Sequence, residues 1–140
     1  METNNYKIVE KNLTELQERI ESACSRSIYN QESVELVIST KYVDADIIRI
    51  LFELGVPCIG ENQLQATERK KEGLNDLDLR WHMFGHLQRN KVKKAVSIFD
   101  LIHSVESVTL AKEINKESRK LGGNSRILVE VNVSGEETKY

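Results

Sequence analysis

A chain of 140 residues with 39% hydrophobic and 30% charged side chains is long enough for one domain with a real core and too short for two ordinary ones. Its formal net charge of −2 shows no basic surplus of the kind nucleic acids or acidic membranes attract, and no apolar run approaches the length of a bilayer span. Cys24 and Cys58 stand at no metal-ligand spacing, and the start Met1-Glu2-Thr3-Asn4-Asn5 lacks the basic-then-apolar build of a signal peptide, so the expected compartment is the cytoplasm.

From about Asn5 to Ser27, Ile8, Leu13, Leu16, Ile20 and Ala23 recur near the 3.6-residue period with Glu and Arg between them, which predicts a helix. The run from Val34 to Lys41 is apolar, β-branched and without alternation. It reads as a strand buried on both faces, as in parallel sheets, with Lys41 at its carboxyl end. Asp44 to Leu54 is a helix closed by Gly55, Val56–Ile59 a second strand, and Gln63–Glu72 a second such helix, with Gly60-Glu61-Asn62 between them as turn chemistry. After a polar connector, Leu79–Phe84 reads as a third strand closed by Gly85, and Gln88–Ile98 as a helix carrying Arg89, Lys91, Lys93 and Lys94. Leu101–Val105 is a fourth strand, Ser107–Leu121 a helix stopped by Gly122-Gly123, and Arg126–Val133 a fifth strand.

Strands alternating with helices mean βαβ units and a parallel sheet. Two α/β architectures remain open. Length alone favours a small doubly wound sheet of five strands, since a complete β/α barrel needs eight strands and about 250 residues.

Both architectures bind ligands at the carboxyl ends of the strands. The polar residues delivered there are Lys41, Asn62, His82 with Gly85, Ser104, and Asn132 with Ser134. Lysine condenses with aldehydes when burial or a nearby cation depresses its pKa, and a position at the mouth of a packed sheet would desolvate it. Asn62 can both donate and accept hydrogen bonds. His82, in a mostly apolar strand, fits a satisfied core histidine; no second histidine or cysteine stands at metal spacing from it, and Trp81 and Phe84 fit the core better than a stacking platform. The basic stretch Arg89–Lys94 has the spacing of a solvated helix face and does not outweigh the acidic balance against nucleic-acid binding. P-loop, dinucleotide-fold and Ser-His-Asp signatures are absent.

Five motifs occur in order along the chain: Ser39-Thr40-Lys41; Gly60-Glu61-Asn62-Gln63-Leu64-Gln65; Trp81-His82-Met83-Phe84-Gly85-His86-Leu87-Gln88-Arg89-Asn90-Lys91; Ile102-His103-Ser104-Val105; and Val131-Asn132-Val133-Ser134-Gly135-Glu136-Glu137-Thr138-Lys139. Together they closely resemble the pyridoxal phosphate homeostasis protein family, whose members look like the barrel domain of alanine racemase.

The resemblance implies a TIM-type β/α barrel that binds pyridoxal 5'-phosphate (PLP) as an aldimine on Lys41, with Asn62, His82, Ser104 and Asn132 as further cofactor-binding positions and no metal. It implies a non-catalytic role in vitamin B6 homeostasis rather than an enzyme, because family members lack the second domain and the opposite-face tyrosine of the racemase. Members of the family continue well past the position of Tyr140, through the loops that hold the cofactor phosphate. The expectation is therefore an incomplete barrel of about five strands, with exposed edges through which two copies could pair as a homodimer. A scaffold or interaction fragment without a working PLP site is the alternative, and a racemase-like enzyme a weaker one.

Overall fold

The computed structural model describes residues 2–28 and 34–135. Its elements alternate as expected: α1 (Glu2–Cys24), β1 (Ile38–Ser39), α2 (Ala45–Glu53), β2 (Cys58–Glu61), α3 (Leu64–Glu72), β3 (Arg80–Met83), a 3-10 turn (Arg89–Lys91) running into α4 (Val92–Ile98), β4 (Leu101–Val105), α5 (Val108–Lys120) and β5 (Arg126–Val129). The five strands form one sheet in the order β1-β2-β3-β4-β5, and every neighbouring pair is parallel.

That order decides between the two architectures. A doubly wound sheet reverses direction at a switch point, so that its first strand lies inside the sheet and helices cover both faces. Here each strand adds to the same side of the one before, and right-handed crossovers then place every connecting helix on one face. Accordingly α4 packs against both α3 and α5. This is the winding of a β/α barrel, with β1 and β5 at the edges of the described sheet, and it corrects the preference that length alone gave for the doubly wound form.

The core lies between the sheet and that single helix layer. Ile59, Trp81, Met83 and Ile102 project from the strands against Ile48, Leu64, Val92, Ala95, Ile98, Leu110 and Ile114, all buried. Trp81 is thus a core residue, as its apolar strand suggested. On α2, Ile48 and Leu51 lie three residues apart and share the buried face. The chain leaves that helix through Gly55, whose φ of +85° suits a residue without a Cβ. At α5, Ser107 caps the start by accepting a hydrogen bond from the Leu110 amide at 3.2 Å.

The first strand departs from expectation. Only Ile38 and Ser39 join the ladder, and the run from Val34 to Lys41 is not buried on both faces: Val34, Ser39 and Lys41 are exposed. β1 is an edge strand with β2 as its neighbour, and Leu36 and Ile38 instead pack in a second cluster around Leu13, Leu51 and Val56. The apolar character that read as a buried strand is used to seat α1 and α2 against the sheet edge. The fifth strand is likewise shorter than its apolar run, ending at Val129 while Val131 and Val133 stand exposed. The last part of the fifth motif, Glu136 to Lys139, lies outside the described residues.

Candidate functional site at the carboxyl ends of the strands

Lys41 follows the buried Thr40 just past β1. Its side chain is exposed, with Nζ 4.8 Å from the centroid of the Tyr42 ring, so the sheet mouth does not desolvate it as its position suggested. What the fold fixes is the backbone before it. The Thr40 amide donates to the Gly60 carbonyl at 3.0 Å, continuing the β1–β2 ladder by one bond. Thr40 Oγ1 donates to Glu61 Oε1 at 2.7 Å, and Lys70 Nζ on α3 donates both to the same oxygen at 2.5 Å and to the Thr40 carbonyl at 2.7 Å.

Glu61 is 1% exposed, and this charge-assisted network gives its carboxylate an ammonium and a hydroxyl in place of water. The reading of Gly60-Glu61-Asn62 as turn chemistry missed it. Gly60 and Glu61 are the last residues of β2, and Glu61 shares the helix-facing side of the sheet with its register partner Met83.

Asn62 is exposed immediately beyond β2. It opens a cleft of about 540 Å³ between the loops after β2 and β3, lined by Asn62, Gln65 and Arg69 on one side and His86, Gln88 and Lys91 on the other. Ser104 is buried and its hydroxyl donates to the Gly85 carbonyl, tying β4 to the loop after β3, where Gly85 turns the chain with φ +73°. Asn132 is exposed beyond β5, and its Oδ1 accepts from the Gly135 amide at 3.0 Å and from Ser134 Oγ at 3.4 Å, an Asx-type turn. In the basic stretch, Lys94 pairs with Glu68 on the neighbouring helix while Arg89, Lys91 and Lys93 are exposed, as a solvated face would be.

His82 is placed differently from the other four. It is buried within β3, in register with Gly60 of β2, on the sheet face opposite the helix layer. Its Nδ1 lies 3.0 Å from Nε2 of His103, its Nε2 lies 3.8 Å from Cys58 Sγ, and the His103 ring meets the Phe84 ring edge-on with centroids 4.8 Å apart. Burial, and then the neighbouring His103, hold the His82 pKa below the ordinary histidine value; burial does the same to His103. Burial and the Glu35 carboxylate push the Cys58 thiol up to about 11.

This inner face tolerates little added bulk. A Cβ on Gly60 would lie 2.0 Å from Phe84 Cε2. Gly60→Ala must therefore displace the Phe84 ring from His103, and is expected to cost about 1–3 kcal/mol, as overpacking does; a urea-unfolding midpoint unchanged from the parent would contradict that.

The structure thus brings Lys41 and Asn62 to one rim on adjacent strands, places Ser104 and Asn132 in the loops and strand ends of the same rim, and turns His82 into the sheet. No family model matches the chain. Curated relatives do. A pyridoxal phosphate homeostasis protein of Aquifex aeolicus is 42% identical over 127 residues, covering 91% of this chain and 56% of the relative. The Homo sapiens protein of the same name is 30% identical over 138 residues, covering 91% and 50%.

Among solved structures, PipY of Synechococcus elongatus with PLP bound superposes with a TM-score of 0.72 at 37% identity, covering 84% of this chain and 54% of PipY. Over the length it spans, the chain is similar to the pyridoxal phosphate homeostasis proteins. A protein of unknown function from Bifidobacterium adolescentis agrees still more closely in backbone, with a TM-score of 0.89 at 31% identity, covering 97% of this chain and 59% of that one. The chain spans about half the length of the curated relatives it matches. Those relatives are named as homeostasis proteins rather than as enzymes. Among the described residues, no helix is long and apolar enough to cross a membrane.

Proposed function

We propose that this chain binds PLP through Lys41 and serves vitamin B6 homeostasis in the cytoplasm without catalysing a reaction of its own. The observation that carries the reading is the placement of Lys41: an exposed amine at the carboxyl end of the first strand, on a backbone held by Thr40, Glu61 and Lys70. PLP supplies an aldehyde that condenses with a lysine amine, together with a phosphate that proteins commonly hold with backbone amides and helix N-termini. The residues present suit the first of these. The Lys41 amine is accessible to solvent, and the position is one where β/α barrels bind their ligands.

In this reading the five residues divide the work. Lys41 holds the cofactor, and exposed Asn62 on the neighbouring strand donates and accepts hydrogen bonds at the same rim. Ser104, through Gly85, fixes the loop that faces Asn62, whose Cβ lies 3.7 Å from where a Gly85 Cβ would stand. Asn132 shapes the loop after β5, and His82 supports the sheet beneath the rim. Neither nucleic acid nor a membrane is a partner. Two copies pair through the exposed edges of β1 and β5, where Leu128 and Val129 are exposed.

The test is a titration of the chain with PLP and, in parallel, with pyridoxal, followed by the visible absorbance of the adduct. Saturable formation of one adduct per chain supports the reading, and a preference for PLP over pyridoxal reports how much the phosphate contributes within these residues. An adduct that grows without saturation, as on any surface lysine, favours instead a scaffold without a working cofactor site. Racemisation of alanine by the loaded chain would contradict the non-catalytic part.

A further inference from the structure

We propose that Glu35, Cys58 and His82 form a binding site for a thiophilic divalent cation, with zinc as the reference ion, on the sheet face opposite the helices. One ligand atom from each residue lies within 4.8 Å of the other two. Two ligands on tetrahedral zinc, with bonds of roughly 2.3 Å to sulfur and 2.0–2.1 Å to nitrogen, stand about 3.6 Å apart. Cys58 Sγ and His82 Nε2 stand 3.8 Å apart, so this pair is already spaced for a shared ion. Both residues are buried in neighbouring strands, which holds their backbones in register.

The surroundings supply what such a site needs beyond its ligands. The second ring nitrogen of His82 is engaged by His103 at 3.0 Å. In the tautomer that leaves Nε2 free to ligate, His82 Nδ1–H donates to His103 Nε2, the orienting contact that metal-bound histidines usually have. Glu35 is half-exposed, with Oε1 2.6 Å from the Arg80 guanidinium; one of its carboxylate oxygens lies within 4.8 Å of the Cys58 and His82 ligand atoms, and its solvent exposure leaves room for water as a fourth ligand. One thiolate and one carboxylate balance the two charges of the ion. Binding breaks the Cys58 S–H bond, forms a metal–sulfur bond and releases the proton to solvent.

The place in the fold indicates the consequence. Glu35 precedes β1, Cys58 opens β2 and His82 lies in β3, so one ion joins three successive segments of the sheet. β1 is held in the ladder by only two residues, and a cation there is a clip on the sheet edge. The role is structural, and it does not depend on whether Lys41 carries a cofactor.

The experiment uses the full 140-residue chain without an affinity tag, titrated with cobalt(II) and then with zinc. One equivalent of cobalt is expected to give a thiolate-to-cobalt charge-transfer band, to be displaced by zinc, and to raise the midpoint of thermal unfolding. Cys58→Ser is expected to lose the band, while Cys24→Ser keeps it. His103→Leu, which removes the acceptor for His82 Nδ1–H and replaces the ring packed on Phe84 with an apolar side chain, is expected to weaken cobalt binding about tenfold or more. Should Cys58→Ser fail to fold, Cys24→Ser decides alone, since Cys58 is then the one thiol in the chain. Absence of the band in the unmodified chain, its loss in Cys24→Ser, or its survival in a folded Cys58→Ser overturns the site.

Discussion

Replacing Lys41 by alanine is expected to abolish the saturable PLP adduct altogether, and Lys41→Arg to do the same. The pair of substitutions separates charge from chemistry. Arginine preserves the cation and much of the reach of the side chain, but its guanidinium does not give up a proton near neutral pH and so cannot attack an aldehyde. If electrostatic attraction of the cofactor phosphate were the main contribution, Lys41→Arg would keep much of the binding. Stability is expected to change by less than about 0.5 kcal/mol in both variants, because Lys41 is exposed and its cation–π contact with Tyr42 lies at the surface. A Lys41→Arg chain that still forms one saturable adduct would move the site to another lysine.

Glu61→Ala is expected to destabilise the chain by about 3 kcal/mol, the lower end of what breaking a buried ion pair costs. The carboxylate is 1% exposed, and it is the shared acceptor for Thr40 Oγ1 and Lys70 Nζ. Without it the Lys70 ammonium, on a side chain only 14% exposed, keeps the Thr40 carbonyl as an acceptor but loses its counter-charge. Partial relief comes from the lysine stem bending toward solvent, which is why the lower end of the range applies. Lys70→Met, which strands the carboxylate instead, is expected to cost at least as much. The double variant Glu61→Gln, Lys70→Met should recover part of the loss, since neither partner is then left charged and unpaired. Urea-unfolding midpoints measure all three.

A functional consequence follows from the same contacts. Two of the hydrogen bonds lost or loosened are those that fix Thr40, the residue before Lys41, so PLP adduct formation should slow in Glu61→Ala even where the chain remains folded. An unchanged rate at an unchanged midpoint would mean that the network does not hold the lysine.

Much of this fold is written in local pattern. Leu101–Val105 forms a strand over the same five residues that its apolar character marks, and Ser107 begins a helix where a capping residue precedes an amphipathic run. What pattern does not carry is which neighbour an apolar run packs against. Leu36 and Ile38 have the composition of a buried strand because they face α1 and α2, and the ladder there needs only two residues. Strand order is likewise invisible to composition: five strands suit a doubly wound sheet or part of a barrel, and only the succession of neighbours from β1 to β5 separates them.

At the candidate site, Lys41 and Asn62 were legible because they follow strands directly. Glu61 was not, since its partner lies nine residues on in the next helix. A buried-strand glutamate followed by a lysine in the succeeding helix is the signal that could have found it. The Cys58–His82 approach joins residues 24 apart on adjacent strands, a pairing set by register that no ligand spacing within one segment reveals.

The central claim, that PLP is held by Lys41 and by no other lysine, is tested most directly by reducing the PLP-treated chain with borohydride and mapping the modified residue by peptide mass spectrometry. One reduced adduct per chain confined to Lys41 is the predicted result. Modification spread over exposed lysines such as Lys91 and Lys93, or none at Lys41, would contradict it.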